Sequence, residues 1–239
     1  MSSHQLLARF DQDGAIAETH HEAVEALEEG DSRRAFLKKA GLGGAAVMGS
    51  GALLATLAPA GAAAAAGKGR PPAKFGKGDI GILNYALTLE YLEAAFYNEA
   101  TKNNVAKKPL AMSFLKRTTA DENAHVAFLK KALGSKAVAA PKVDFGSAVK
   151  SEAAWLKTSM ALENTGVKAY GGQALNIANP TYIAAALSIW AVEARHASVA
   201  GLLVKNAPDS ISPEKGPFQT TATAAEILKA VEATGFIVG

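Results

Sequence analysis

The chain carries one pattern twice. Glu90 is followed seven residues later by Tyr97 and Glu163 seven residues later by Tyr170, while Glu122 with His125 and Glu193 with His196 each form an E-x-x-H. The parts recur in the same order, so a unit of two elements is repeated. Residues three apart share a face of a helix, so each E-x-x-H aims a carboxylate and an imidazole at one point. Whatever fold the chain adopts has to present these two half-sets together.

The residues around the pattern supply the helices. Asp79 suits the N-cap of a first helix, 79–104, with Ala86, Leu87, Glu90, Ala94 and Tyr97 at helical spacing. Pro109 suits the first turn of a second, whose inner stripe is Leu115, Thr118, Glu122, His125, Leu129 and Leu133, closed by Gly134. A third is expected over 147–177, with Leu156, Met160, Glu163, Val167 and Tyr170 on one face. Asn179-Pro180 opens a fourth, carrying Ile189, Glu193, His196, Ala200 and Leu203 until Pro208, and a shorter helix is expected near 222–233. With 49% hydrophobic residues, abundant Ala and only 7% aromatics, the composition agrees with an all-α chain.

Position along the helices brings the acids to one depth. Glu90 lies 14 residues before Asn104 and Glu122 lies 13 after Pro109; Glu163 lies 14 before Ile177 and Glu193 lies 13 after Pro180. In two antiparallel hairpins all four glutamates therefore fall on one layer. The connection between the second and third helices, about 12 residues at about 3.4 Å each, reaches about 40 Å. That is enough to run the length of a 25-residue helix, about 38 Å.

Four carboxylates in an apolar layer repel one another and lose hydration, at several kcal/mol per ion, unless they are protonated or bound to cations. Two divalent metal ions neutralise four negative charges. The chain has no cysteine, so disulfides, thiolate ligands and a thiol nucleophile are excluded. Oxygen ligands with one imidazole per ion suit iron or manganese, with zinc compatible, and leave positions open for water or oxygen. His125 and His196 are the only histidines after residue 21.

The up-down, crossover, up-down order with these residues resembles the ferritin-like superfamily, which includes bacterioferritins, rubrerythrins and manganese catalases. The resemblance covers about 79–206 and implies a four-helix bundle with a short C-terminal helix. It also implies a dinuclear centre whose lone glutamates are Glu90 and Glu163 and whose Glu-x-x-His pairs are Glu122/His125 and Glu193/His196. The chemistry it implies is an oxidoreductase site for dioxygen, peroxide or iron, in ferroxidase, peroxidase or catalase form. A non-catalytic, stress-protective bundle with a structural dimetal centre is the alternative, and a storage shell is the less favoured third reading. Glu93, Tyr97 and Tyr170 are expected to support the ligands, with a ligand position as the other reading of Glu93 and core packing as that of the tyrosines. Asp121 and Arg195, each beside a ligand, are expected to face outward or reach across to another helix and receive no role; Trp155 and Trp190 read as packing, and no methionine is placed for haem.

Ahead of the bundle, Ser32-Arg33-Arg34-Ala35-Phe36-Leu37-Lys38 precedes a Gly- and Ala-rich apolar run to about Ala66. This resembles a twin-arginine export signal, with A-x-A cleavage positions at Ala58, Ala60 and Ala62. The expected division is therefore signal and N-terminal extension over 1–66, linker over 67–78, bundle over 79–206 and C-terminal segment over 207–239. The expected partner is the twin-arginine translocation machinery, and the destination periplasmic or extracellular. Cleavage would leave no stable membrane span, and a homo-oligomer stays open. The net charge of +3 is scattered without aromatic interleaving, which argues against nucleic acid.

Overall fold

The computed structural model describes residues 69–205, 213 and 216–238. The twin-arginine motif and the apolar run lie outside the described residues. Local signals set the ends of five helices: α1 (Gly78–Lys102), α2 (Pro109–Leu133), α3 (Glu152–Gln173), α4 (Pro180–Lys205) and α5 (Ala224–Thr234). Pro109 opens α2 and Gly134, at φ +56°, ends it. Ser151 accepts from the Ala154 N–H at the start of α3, Asn179 Oδ1 accepts from the Thr181 N–H at the start of α4, and Thr223 with Glu226 forms a capping box on α5.

Three local expectations are corrected. Asp79 does not cap its own helix, which Lys77 precedes; its two carboxylate oxygens accept from the Ala178 and Asn179 N–H groups, each at 2.9 Å. It thus ties the α3–α4 turn to the first turn of α1. The third helix is shorter than 147–177, because Gly146–Val149 and Ala174–Asn176 wind as 3₁₀ turns. The stretch read as a linker is, from Gly69 onward, held on the bundle: Phe75 is buried, Arg70 Nη2 donates to Asn176 O at 2.7 Å and Gln173 Nε2 donates to Gly69 O at 2.8 Å.

α1 pairs with α2 and α3 with α4, each through a short turn. Two asparagines fix the connection between the pairs. At the end of the bundle where α1 begins, Asn84 donates to Phe75 O and Lys136 O and accepts from the Val138 N–H. At the other end, Asn103 donates to Val149 O and the Lys108 N–H donates to Glu152. The segment between α2 and α3 therefore runs the length of the bundle. α5 and the residues around it strap the outside: the Ala222 N–H donates to Lys168 O, and the Val238 N–H donates to Lys142 O.

Packing divides the interior into two apolar zones. One gathers Phe96, Phe114, Phe145, Trp155 and Leu156; the other gathers Leu83, Leu87, Leu129, Leu133 and Ile189. Helix α4 is long and apolar enough to cross a membrane by length and composition, with a mean hydropathy of 1.2. In the fold it is the fourth bundle member, and Ala186, Ile189, Glu193, His196 and Ala200 are its buried stripe.

Candidate metal centre

The acids of the repeated pattern occupy the level between the two apolar zones. Glu90, Glu122, Glu163 and Glu193 are each 0% exposed, and His125 and His196 are buried beside them. One ligand atom from each residue falls within 4.8 Å of the others in two overlapping groups, Glu90, Glu122, His125 and Glu193, and Glu122, Glu163, Glu193 and His196. Glu122 and Glu193 belong to both. The arrangement is a pair of four-residue sites sharing two carboxylates, one lone glutamate and one histidine being private to each.

His125 Nδ1 lies 3.2 Å from Glu90 Oε2, 3.1 Å from Glu122 Oε2 and 3.4 Å from Glu193 Oε1. His196 Nδ1 lies 3.0 Å from Glu122 Oε1 and 3.3 Å from Glu163 Oε2. Glu122 Oε1, Glu163 Oε2, both Glu193 oxygens and His196 Nδ1 are buried without a hydrogen-bond partner. Buried carboxylate oxygens and imidazole nitrogens that converge at this distance are arranged to share positive charge, a proton or a metal cation. Oxygen-rich sites with one imidazole each fit divalent iron, manganese or zinc ions.

Charge at the site follows from burial. For His125 burial alone would lower the pKa, but Glu122, Glu193 and Glu90 together raise it to about 12. His196 is likewise opposed by burial and raised to about 11 by Glu122 and Glu163. Burial lifts Glu122 to about 7 despite the two imidazoles, and burial with neighbouring carboxylates holds Glu93 and Glu193 well above the usual range. Protons here do in part what metal ions would do, balancing negative charge that the fold has forced together.

Two tyrosines cross the bundle reciprocally. Tyr97 on α1 donates its hydroxyl to Glu163 on α3, and Tyr170 on α3 donates to Glu90 on α1 at 2.5 Å. Burial, followed by the facing carboxylate, keeps both phenols protonated and so able to donate. Each orients the lone glutamate of the other repeat. Trp155 packs edge-on against Tyr97, as its packing reading requires, and Trp190 Nε1 donates to Val167 O.

Asp121 is the contact that the sequence did not reveal. Its Oδ2 lies 3.2 Å from His196 Nε2 and accepts from Arg117 Nε at 2.7 Å, so it sets the tilt of a ring whose other nitrogen faces the acids. The only sequence signal was its place beside Glu122. The repeat puts Val192, not an acid, at the corresponding position of α4. Arg195 is exposed and donates to Ala191 O on its own helix. A groove of about 430 Å³ between α2 and α4, lined by Phe114, Arg117, Asp121, Arg195 and His196 among others, reaches this edge of the site.

A search of curated proteins finds no match to the chain. A family model described as a ferritin-like domain matches residues 78–206, which spans α1 to α4 and every residue of the repeated pattern. With more than half its length matched, and an all-helical bundle carrying a buried cluster of glutamate and histidine, the chain belongs to the ferritin-like domain family.

Proposed function

We propose that the protein is an exported ferritin-like protein that binds a dinuclear iron or manganese centre and uses it for redox chemistry with dioxygen, peroxide or ferrous iron. The observation that carries this reading is the set of buried, unpartnered oxygen and nitrogen atoms shared between two overlapping groups. Glu90 and His125 would hold one ion and Glu163 and His196 the other, with Glu122 and Glu193 between them. Such a pair of ions, when bound, supplies one-electron oxidation and reduction next to an open coordination position.

The chain's own residues do the rest. Tyr97 and Tyr170 fix the lone glutamates in place and keep their protons, and Asp121 fixes the His196 ring. The apolar zones on either side exclude bulk water, and the α2–α4 groove offers small molecules a way to the His196 edge. Export rests on the Arg33-Arg34 motif and its apolar run.

Two measurements test the reading. Elemental analysis of protein recovered from the exported fraction should find iron or manganese near two ions per chain; no metal, or mostly zinc, sinks the redox assignment. Ferrous iron added in air should produce a ferric absorbance that Glu122→Ala slows at least about tenfold, as loss of a shared ligand should. Equal rates in the two proteins would leave a structural, non-catalytic centre as the surviving description.

A further inference from the structure

Helix α4 is apolar, and ahead of Lys205 its formally charged residues are Glu193 and Arg195. Glu193 is buried in the centre, whereas Arg195 is exposed and lines the groove of about 430 Å³ between α2 and α4. Its hydrogen bond goes to Ala191 O on its own helix, and no carboxylate among the described residues pairs with it. Across the groove Arg117 uses Nε on Asp121. A guanidinium presents five N–H donors in a planar fork, so both side chains keep donors for an anion.

The floor of the groove supplies an independent observation. Thr118 lines it, is 0% exposed, and its Oγ1 has no hydrogen-bond partner. A threonine inside a helix can satisfy its hydroxyl on the carbonyl four residues back, as Thr119 does on Leu115 O and Thr165 does on Ala161 O. Thr118 makes no such bond. A buried hydroxyl without a partner is unfavourable unless something outside the chain completes it.

The walls say what shape that something has. Arg117, Asp121 and Arg195 lie within about a turn and a half of Glu122 or Glu193, whereas Leu110, Phe114 and Val199 lie further along the two helices. Leu110 is 54% exposed. An inorganic anion would leave this apolar stretch in water, and a neutral apolar molecule would leave both guanidinium groups and the Thr118 hydroxyl unused.

We propose that the α2–α4 groove binds an organic monocarboxylate with a compact apolar body. Its carboxylate accepts from Arg195, Arg117 and Thr118, and its body lies on Phe114, Leu110 and Val199. The site borders the His196 edge of the centre, yet its binding groups are not the ligands of the centre, so it stands apart from the dimetal reading.

The test is isothermal titration calorimetry of the protein as isolated, with benzoate as the probe. Wild type should bind one benzoate per chain. Arg195→Gln, a change at an exposed position, should raise the dissociation constant at least about tenfold, as loss of a charge-assisted pair does. Thr118→Val should raise it about threefold or more, yet leave the melting temperature without benzoate unchanged, because the hydroxyl has no partner in the chain to lose. Benzyl alcohol, which has the body without the charge, and inorganic phosphate, which has charge without the body, should each bind at least about tenfold more weakly than benzoate. Absence of saturable benzoate binding, or equal affinity in wild type and Arg195→Gln, overturns the proposal. Equally tight binding of benzyl alcohol or of phosphate overturns the assigned ligand class. Benzoate that binds wild type and Arg195→Gln alike but not Glu122→Ala sits on the centre itself, which refutes the groove site and leaves the metal reading standing.

Discussion

Tyr170 shows how a single hydroxyl serves a buried acid. Its O–H is the hydrogen-bond donor held on Glu90 Oε1 at 2.5 Å, and loss of a partner from a buried charged group costs about 1.5–3 kcal/mol. Tyr170→Phe should therefore weaken metal binding by about 10–100-fold while leaving two ions per chain, measured by competition with a chelator. An affinity equal to wild type would reduce Tyr170 to packing. A second consequence concerns protons. His125 and His196 are raised to about 12 and about 11 from 6.5, and Glu93, Glu122 and Glu193 are raised above 4.5, Glu122 to about 7. Every one of these groups binds its proton more tightly folded than unfolded. The stability each contributes is complete below its unfolded pKa and is lost as pH rises through its folded pKa. The metal-free protein should thus melt at a lower temperature at pH 9 than at pH 6, with the decline beginning above the unfolded carboxylate range. Metal-loaded protein should respond less, since bound ions take the place of those protons. A metal-free melting temperature that climbs with pH would contradict the charge assignment.

Helix α3 shows what elements add beyond residues. Gly172 lies under the strap that leads into α5, and a Cβ there would come 1.9 Å from Ala222 O. Gly172→Ala must push backbone away from backbone, a strain of about 1–3 kcal/mol. The expected result is a melting temperature lower by several degrees and earlier proteolytic loss of the C-terminal segment, with metal stoichiometry retained. Resistance to protease equal to wild type would mean that the strap is not seated as the structure has it. The same contrast between local and tertiary causes explains what the sequence could convey. The six principal site residues were legible because their spacings of three and seven are helical periods and because the pattern occurs twice. Helix ends marked by Pro109, Gly134 and Asn179 were legible for the same local reason. Asp79 was misread because an aspartate near a helix start has the same signature whether it caps that helix or accepts from the Ala178 and Asn179 N–H groups of a distant turn. Asp121 had only its place beside Glu122 as a signal and Gly69 had none, since their partners, His196 and Gln173, are distant in the chain.

The buried cluster draws its glutamates and histidines from both repeats, so it is complete only once all four helices are in place. Under the proposed function, metal binding would then stabilise the fold by mass action, about 2.7 kcal/mol for each ion at a free concentration one hundred times its dissociation constant. A centre built this way is most simply filled where the chain folds, and a route that moves folded chains is the one compatible with loading before export. Under the proposed export, the motif at Arg33-Arg34 would be the mark of that route. Changing Arg33→Lys together with Arg34→Lys leaves the charge and the bundle untouched and alters only the guanidinium pair that the route reads. Cells producing this double variant should retain the protein inside, at uncleaved length and with its metal bound. Cells producing the wild type should release a shorter chain with the same ratio of metal to protein. Immunoblots and elemental analysis of the two fractions provide both readings. If the double variant leaves the cell as efficiently as wild type, the twin-arginine assignment fails. If the exported wild type carries less metal than the retained variant, the centre is filled or emptied outside, and loading before export is wrong.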